Sequence, residues 1–132
     1  MGAWGHRAFD NDEAGDWGSE MEMRGWEAVS SAVRAVSALP DDEYLELTEA
    51  SWAIAAAEVV AAAEDGDTSN LPEEVRAALA ELGRMPDGSM IAEAQKAVAR
   101  VLEQSELKEL WQESDYYDQW REDVEALAAR LR

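Results

Sequence analysis

Between Ala50 and Ala63 the chain runs through 14 residues that carry a single charge, Glu58. Read as a helix from about Thr48 to Glu64, this segment has Trp52, Ala56, Val59 and Ala63 on one stripe. Ile54, Ala55, Val60 and Ala62 cover its other faces. A helix that is apolar all round is stable only when other elements surround it. The run is also too short to span a bilayer, which takes about 20 residues. The segment therefore predicts a helical bundle with this helix in the middle. Its alanines let neighbours approach closely and have the highest helix propensity.

The rest of the pattern is helical too. Trp26, Val29, Val33 and Val36 form one face of a helix before the central one. Val75, Leu79 and Leu82 mark a later helix that ends at Gly83, with Pro86-Asp87-Gly88 as the turn after it. Ile91, Ala94, Val98, Val101 and Leu102 mark the next, followed by a short piece with Leu107, Leu110 and Trp111. Tyr117, Trp120, Val124, Leu127 and Leu131 mark the last. Asn70 to Glu73 has capping-box spacing, with Pro72 in the first turn, and Ser89 and Ser105 are expected N-caps. Period-two β-branched runs are absent, and only Asp42 to Leu47 reads as a short extended piece around Tyr44 and Leu45. No repeat recurs at a period of 20 to 50 residues. The expectation is an all-α fold: a compact single-domain bundle of about six to seven helices over residues 1–132, with an extended tail over residues 1–10 packed on it.

The charge balance excludes whole classes of function. Thirty acids against 11 Lys and Arg leave a net charge of −19. Direct binding to nucleic acid, or to an anionic membrane surface, needs the opposite sign. With no cysteine, disulfides, thiolate metal sites and cysteine nucleophiles are ruled out, and the single histidine, His6, leaves no two-histidine metal site. The acidity does not imply disorder, because 47% of residues are hydrophobic and six are Trp. The opening has no basic stretch followed by an apolar run, and His6 stands where a myristoylation signal needs Ser or Thr. A cytoplasmic protein is expected.

The opening, Met1 to Trp17, is the least generic stretch. Asp10 and Glu13 have capping-box spacing for a helix start, and Phe9 and Ala14 occupy the two positions of a hydrophobic staple. Asp12, Glu13 and Asp16 place negative charge at the positive end of that helix. Trp4, flanked by Gly2 and Gly5, is expected to anchor the tail on the bundle. These residues resemble the bacterial domain-of-unknown-function family DUF4259, whose members open with Met-Gly-x-Trp-Gly running into Phe-Asp-Asn-Asp and a Trp or Phe. Trp4, Gly5, Phe9, Asp10, Asn11, Asp12 and Trp17 match that pattern. A weaker similarity continues through Ala50–Ala63 and Ser105–Trp111. The resemblance implies no activity, cofactor or catalytic residue.

Few constellations here point to chemistry. Asp10, Asp12 and Asp16, with Gly15, invite a calcium-loop reading, but Ala14 and Met21 stand where oxygen ligands belong, so no metal site is assigned. Nucleophile elbows, phosphate-binding glycine loops and His-Glu helix motifs are absent, so no catalytic residue and no cofactor is assigned either. Glu58 stands out as a charge on a central helix. It is expected to pair with an arginine, Arg34, Arg76 and Arg100 being the candidates, or else to be a site acid with a raised pKa.

The charge map carries the functional expectation. Residues 1–70 hold sixteen acids and three Arg, net −13, whereas residues 71–132 are net −6. Between Arg34 and Arg76 there are eleven acids and no Lys or Arg, and apart from Glu58 they cluster around the two ends of the central helix. The expected function is a small binding protein that neutralises a basic partner, in the manner of an immunity protein or an antitoxin-like inhibitor. Its partner-binding residues would be Asp41, Asp42, Glu43, Glu46, Asp65 and Asp67, with Tyr44 as an aromatic anchor. Two alternatives stand beside it: a carboxylate-based enzyme centred on Glu58, and a regulatory or structural module that associates through the Tyr116–Leu131 helix.

Overall fold

The computed structural model describes residues 5–83 and 87–131. Trp4 and most of the tail's first half, with Pro86 of the expected turn, lie outside the described residues. Seven helices follow one another among the described residues: α1 (Asp12–Arg24), α2 (Trp26–Ser37), α3 (Leu47–Asp65), α4 (Glu73–Leu82), α5 (Gly88–Glu103), α6 (Glu106–Gln112) and α7 (Tyr117–Arg130). No β-strand forms among them. The all-α expectation holds.

The apolar run sits where its composition requires. Helix α3 packs against α1, α2, α5, α6 and α7, and its interior from Ala53 to Ala62 is buried without a break. Ala53, Ala55, Ala56 and Ala57 are fully buried, so these neighbours approach over methyl groups rather than long side chains. The surrounding helices turn their own apolar faces inward: Val29, Val33 and Val36 from α2, Ala94, Val98 and Val101 from α5, and Trp120, Val124 and Leu127 from α7. The apolar face of α7, the helix expected to serve association, is thereby turned into the core. No helix is long and apolar enough to cross a membrane among the described residues.

The helix starts differ in detail from their sequence expectations. At α1 the N-cap is Asn11, not Asp10. Asn11 Oδ1 accepts from the Ala14 N–H at 2.8 Å, and its amide donates to the Ala8 carbonyl at 3.3 Å. With the cap one residue later, Phe9 and Ala14 no longer stand in staple register, and Phe9 packs instead on Trp17, ring centroids 6.3 Å apart. At α4 the capping box does not form, because Pro72 is itself the N-cap. At α5 the cap is Asp87 rather than Ser89, accepting from the Met90 N–H at 2.9 Å. Ser105 caps α6 as expected, accepting from the Lys108 N–H at 3.0 Å.

The α1–α2 corner depends on one glycine. Gly25 has φ +59, which L side chains rarely adopt, and an added Cβ would meet Leu82 Cδ2 at 2.8 Å. The expected extended piece at Asp42–Leu47 is a loop, extended at Glu46 but paired with no strand; Leu45 alone is driven into the core.

If close approach around α3 organises the bundle, enlarging an α3 alanine must be costly. Ala56→Leu is expected to destabilise the protein by about 1–3 kcal/mol in denaturant unfolding. Ala99→Leu, on the exposed side of α5, should change stability by about 0.5 kcal/mol or less.

Candidate functional site

The expected site residues fall into two groups, because α3 stands between them. Asp41, Asp42, Glu43, Tyr44 and Glu46 precede the helix, and Asp65 and Asp67 lie at and beyond its end. Nineteen residues of helix at 1.5 Å per residue separate the groups by about 28 Å. They form two surfaces with different electrostatics.

At the C-terminal end of α3 two acids, Glu58 and Asp65, are ion-paired with an arginine outside the three candidates Arg34, Arg76 and Arg100. Arg130, in the last turn of α7, donates from Nη1 to Glu58 Oε2 at 3.0 Å, and from Nε and Nη2 to the two carboxylate oxygens of Asp65 at 2.8 and 3.1 Å. Its Nη2 also donates to the Asp67 carbonyl at 2.9 Å. Glu58 is therefore paired, as one reading expected, but its partner is none of Arg34, Arg76 and Arg100. Arg34 bonds Glu93 at 3.0 Å, and Arg100 is engaged elsewhere. Burial pushes the Glu58 carboxyl up, and the Arg130 charge and the facing Asn70 side chain only partly offset this. Asp65 is held below the usual carboxylate range, first by its bonds from Arg130. Asp67 is lowered as well, first by the Ser69 hydroxyl.

Two hollows adjoin Glu58. One, about 20 Å³, lies among His6, Asn11, Ser51, Trp120 and Asp123, the His6 ring being paired to the Asp123 carboxylate. That space holds about one water molecule. The other, about 130 Å³, is bordered by Arg7, Asn70 and Arg130. Small-molecule ligand sites typically occupy about 300–1,000 Å³. Glu58 thus sits in an ion-paired corner of the core beside hollows smaller than typical small-molecule sites.

At the N-terminal end of α3 the arrangement is reversed. The loop from Pro40 to Glu46 is pinned from behind. Arg100 donates from Nη1 to the Pro40 carbonyl at 3.2 Å, from Nη2 to the Glu43 carbonyl, and from Nε to the Gln104 carbonyl at 3.2 Å. Its cation is bonded to backbone, not to carboxylates. Glu106 completes the attachment: its N–H donates to the Leu45 carbonyl at 2.9 Å, and its carboxylate accepts from the Leu47 N–H at 2.8 Å, satisfying an orphan donor of α3. Buried Leu45 anchors the loop from below.

On this scaffold Asp41, Asp42, Glu43 and Glu46 point to solvent, and none makes an ion pair among the described residues. Tyr44 projects from their midst, 52% exposed, with its hydroxyl donating to Glu109 Oε1 at 3.0 Å. Its pKa is pushed up to about 12, by desolvation, by the Glu109 hydrogen bond, and by the charges of Glu109, Glu106 and Glu46. The patch is therefore the loop together with the first turn of α6. Glu106 and Glu109 were missed in the sequence because nothing local links α6 to a loop some 60 residues earlier, although two acids three apart at a helix start were a visible hint. Among the described residues, no three His, Asp or Glu side chains are placed to hold a metal ion.

The family model described as "Domain of unknown function (DUF4259)" matches residues 2–123 of the 132-residue chain. No curated protein matches, and no solved structure matches.

The Glu58–Arg130 corner makes an asymmetric prediction. Arg130→Ala leaves a buried carboxylate unpaired and should cost roughly 3–5 kcal/mol. Glu58→Gln, which mimics the protonated acid that burial favours, should leave the melting temperature at pH 7 unchanged or raised. The sign follows from the upward shift: ionised Glu58 is a burden above its folded pKa, and the burden vanishes below its unfolded value of 4.5. Any advantage of Glu58→Gln must therefore shrink as pH falls toward 4.5. Asp65 acts in the other sense, stabilising above its unfolded value of 3.8 and ceasing to do so as pH falls through its lower folded pKa. Thermal melts across pH check both.

Proposed function

We propose, for a chain that belongs to the DUF4259 family, that it acts in the cytoplasm as a small acidic binding protein. Its partner is a basic protein, which it engages with the acidic face around Tyr44, as an immunity protein or antitoxin-like inhibitor covers a cationic cleft. The observation that carries this reading is the division of labour between two arginines. Arg130 ion-pairs with two carboxylates, Glu58 and Asp65, at one end of α3, whereas Arg100, at the other end, is bonded to carbonyls and leaves the carboxylates above it without an ion pair.

Three further features support it. The loop is held by the Arg100 and Glu106 hydrogen bonds, so binding does not have to order it. Tyr44 offers a large, half-exposed aromatic surface amid the charges, and tyrosine is enriched among residues that dominate interface energetics. A potential of one sign also raises the rate at which a cationic surface arrives. The enzyme alternative at Glu58 has no comparable support, since that carboxylate is ion-paired beside hollows smaller than typical small-molecule sites.

Matched charge changes at two places test the reading, with a lysine-rich peptide as the probe. One variant combines Asp41→Asn, Asp42→Asn, Glu43→Gln and Glu46→Gln. The control combines Glu22→Gln, Glu73→Gln, Glu74→Gln and Glu81→Gln, exposed acids on α1 and α4. The loop variant should weaken binding in low-salt calorimetry by at least about tenfold and the control by about twofold or less. Equal losses would reduce the patch to a share of overall net charge and overturn the proposal.

A further inference from the structure

A groove of about 280 Å³ runs between α1, α2 and α3, next to the acidic loop. Its floor is a row of small side chains on one face of α2: Ala28, Ser31, Ala32 and Ala35, at spacings of three, one and three. One wall is Trp52, whose long side chain, like others on helices, leans toward the helix N-terminus and so toward Thr48 and Glu49, which also line the groove. The opposite wall comes from α1, with Glu20 and Arg24 on its rim. The lining is predominantly apolar and the rim polar.

The rim charges are not balanced in the way they first look. Arg24 is already engaged, lying 3.7 Å from Glu20 and 3.0 Å from Glu27, and donating to the Ser31 hydroxyl at 3.4 Å. Glu49 makes no ion pair among the described residues. It stands three residues, about 5 Å along the helix, from Glu46 of the acidic loop. The groove thus opens beside Glu49, with Glu46 one helical turn away, and its volume has room for one aromatic or branched side chain.

We infer that this groove is the apolar half of the partner-binding surface: it receives one large apolar side chain, flanked by lysines or arginines, from a basic protein partner. The inference rests on the acidic-face reading above and deepens it. Charge attracts many cationic surfaces alike, whereas a pocket that accepts an aromatic anchor distinguishes among them. The border carboxylates of Glu49 and Glu46 would meet the cations beside that anchor. The alanine floor leaves space that a larger residue at Ala35 or Ser31 would fill.

The test uses two lysine-rich peptides identical except for a central Phe or Ser, titrated calorimetrically against the whole protein. The Phe peptide is expected to bind about tenfold tighter than the Ser peptide. Ala35→Phe, at an exposed position that lines the groove, should reduce that preference to about twofold or less while leaving Ser-peptide affinity unchanged. Ser31→Phe, also exposed, is the second filling variant should Ala35→Phe alter the fold, and it should act in the same way. Equal affinities of the two peptides for the parent, with both reduced by the loop-charge variant, would overturn the groove and leave the acidic face standing. Binding of either peptide that ignores the loop-charge variant would overturn both.

Discussion

The middle of helix α3, from Ala53 to Ala62, has no side that water can face, and this desolvation requirement organises the molecule. A helix so apolar must be enclosed, and five of the other six described helices pack against it. Enclosure by close-packed alanine methyls then leaves no interior space for charge. The one charge α3 carries in its middle, Glu58, is tolerated because it lies near α7, where Arg130 reaches in from the rim. Even with that partner, burial dominates and the carboxyl is pushed toward its neutral form. Burial this complete also leaves α3's remaining acids, Glu49, Glu64 and Asp65, at its two ends.

The two ends are treated oppositely by chemically identical groups. An arginine that donates to carboxylates holds them in direct ion pairs, whereas one that donates to carbonyls fixes the backbone and leaves the neighbouring carboxylates facing solvent without a direct partner. Arg130 does the first and Arg100 the second. A loop need not be acidic to be pinned in this way, since neither the carbonyls nor Leu45 require Asp41, Asp42 or Glu43. Glu46 does not cap α3 with its own side chain; Glu106 supplies that bond from α6.

The helices were legible in the sequence because apolar residues recur at helical spacing, and the central place of α3 was legible because they do not: its apolarity has no preferred face. Cap positions were legible only to within a residue or two. Asn11 displaced Asp10, and Asp87 displaced Ser89, because all of these side chains can accept an orphan N–H and the choice depends on which residue is extended in the folded chain. The partner of Glu58 was not legible. Arg130 lies 72 residues away, and three other arginines were equally good candidates before the packing of α7 on α3 was known. The separation of Asp65 and Asp67 from the loop acids is different, for it follows from the length of α3 and the helical rise alone. Grouping them as one surface overlooked a distance the sequence already contained.

Charge at a helix start has an ordinary structural explanation, since acids there are favoured by the helix dipole by about 0.3–1 kcal/mol each. That explanation covers Glu49 in the first turn of α3 and Glu106 and Glu109 in the first turn of α6. It does not extend to Asp41, Asp42 and Glu43, which precede the helix by more than a turn, and the dipole's effect is confined to the terminal turn. Placing those three beside the helix-start acids adds mutual repulsion with none of their carboxylates ion-paired to a described residue in return; the bonds from Arg100 to the Glu43 carbonyl and from the Glu43 N–H to the Pro40 carbonyl involve only backbone atoms of the loop. The excess negative potential at this end is therefore not accounted for by folding, and a cationic surface brought against it would relieve a repulsion that the isolated molecule sustains.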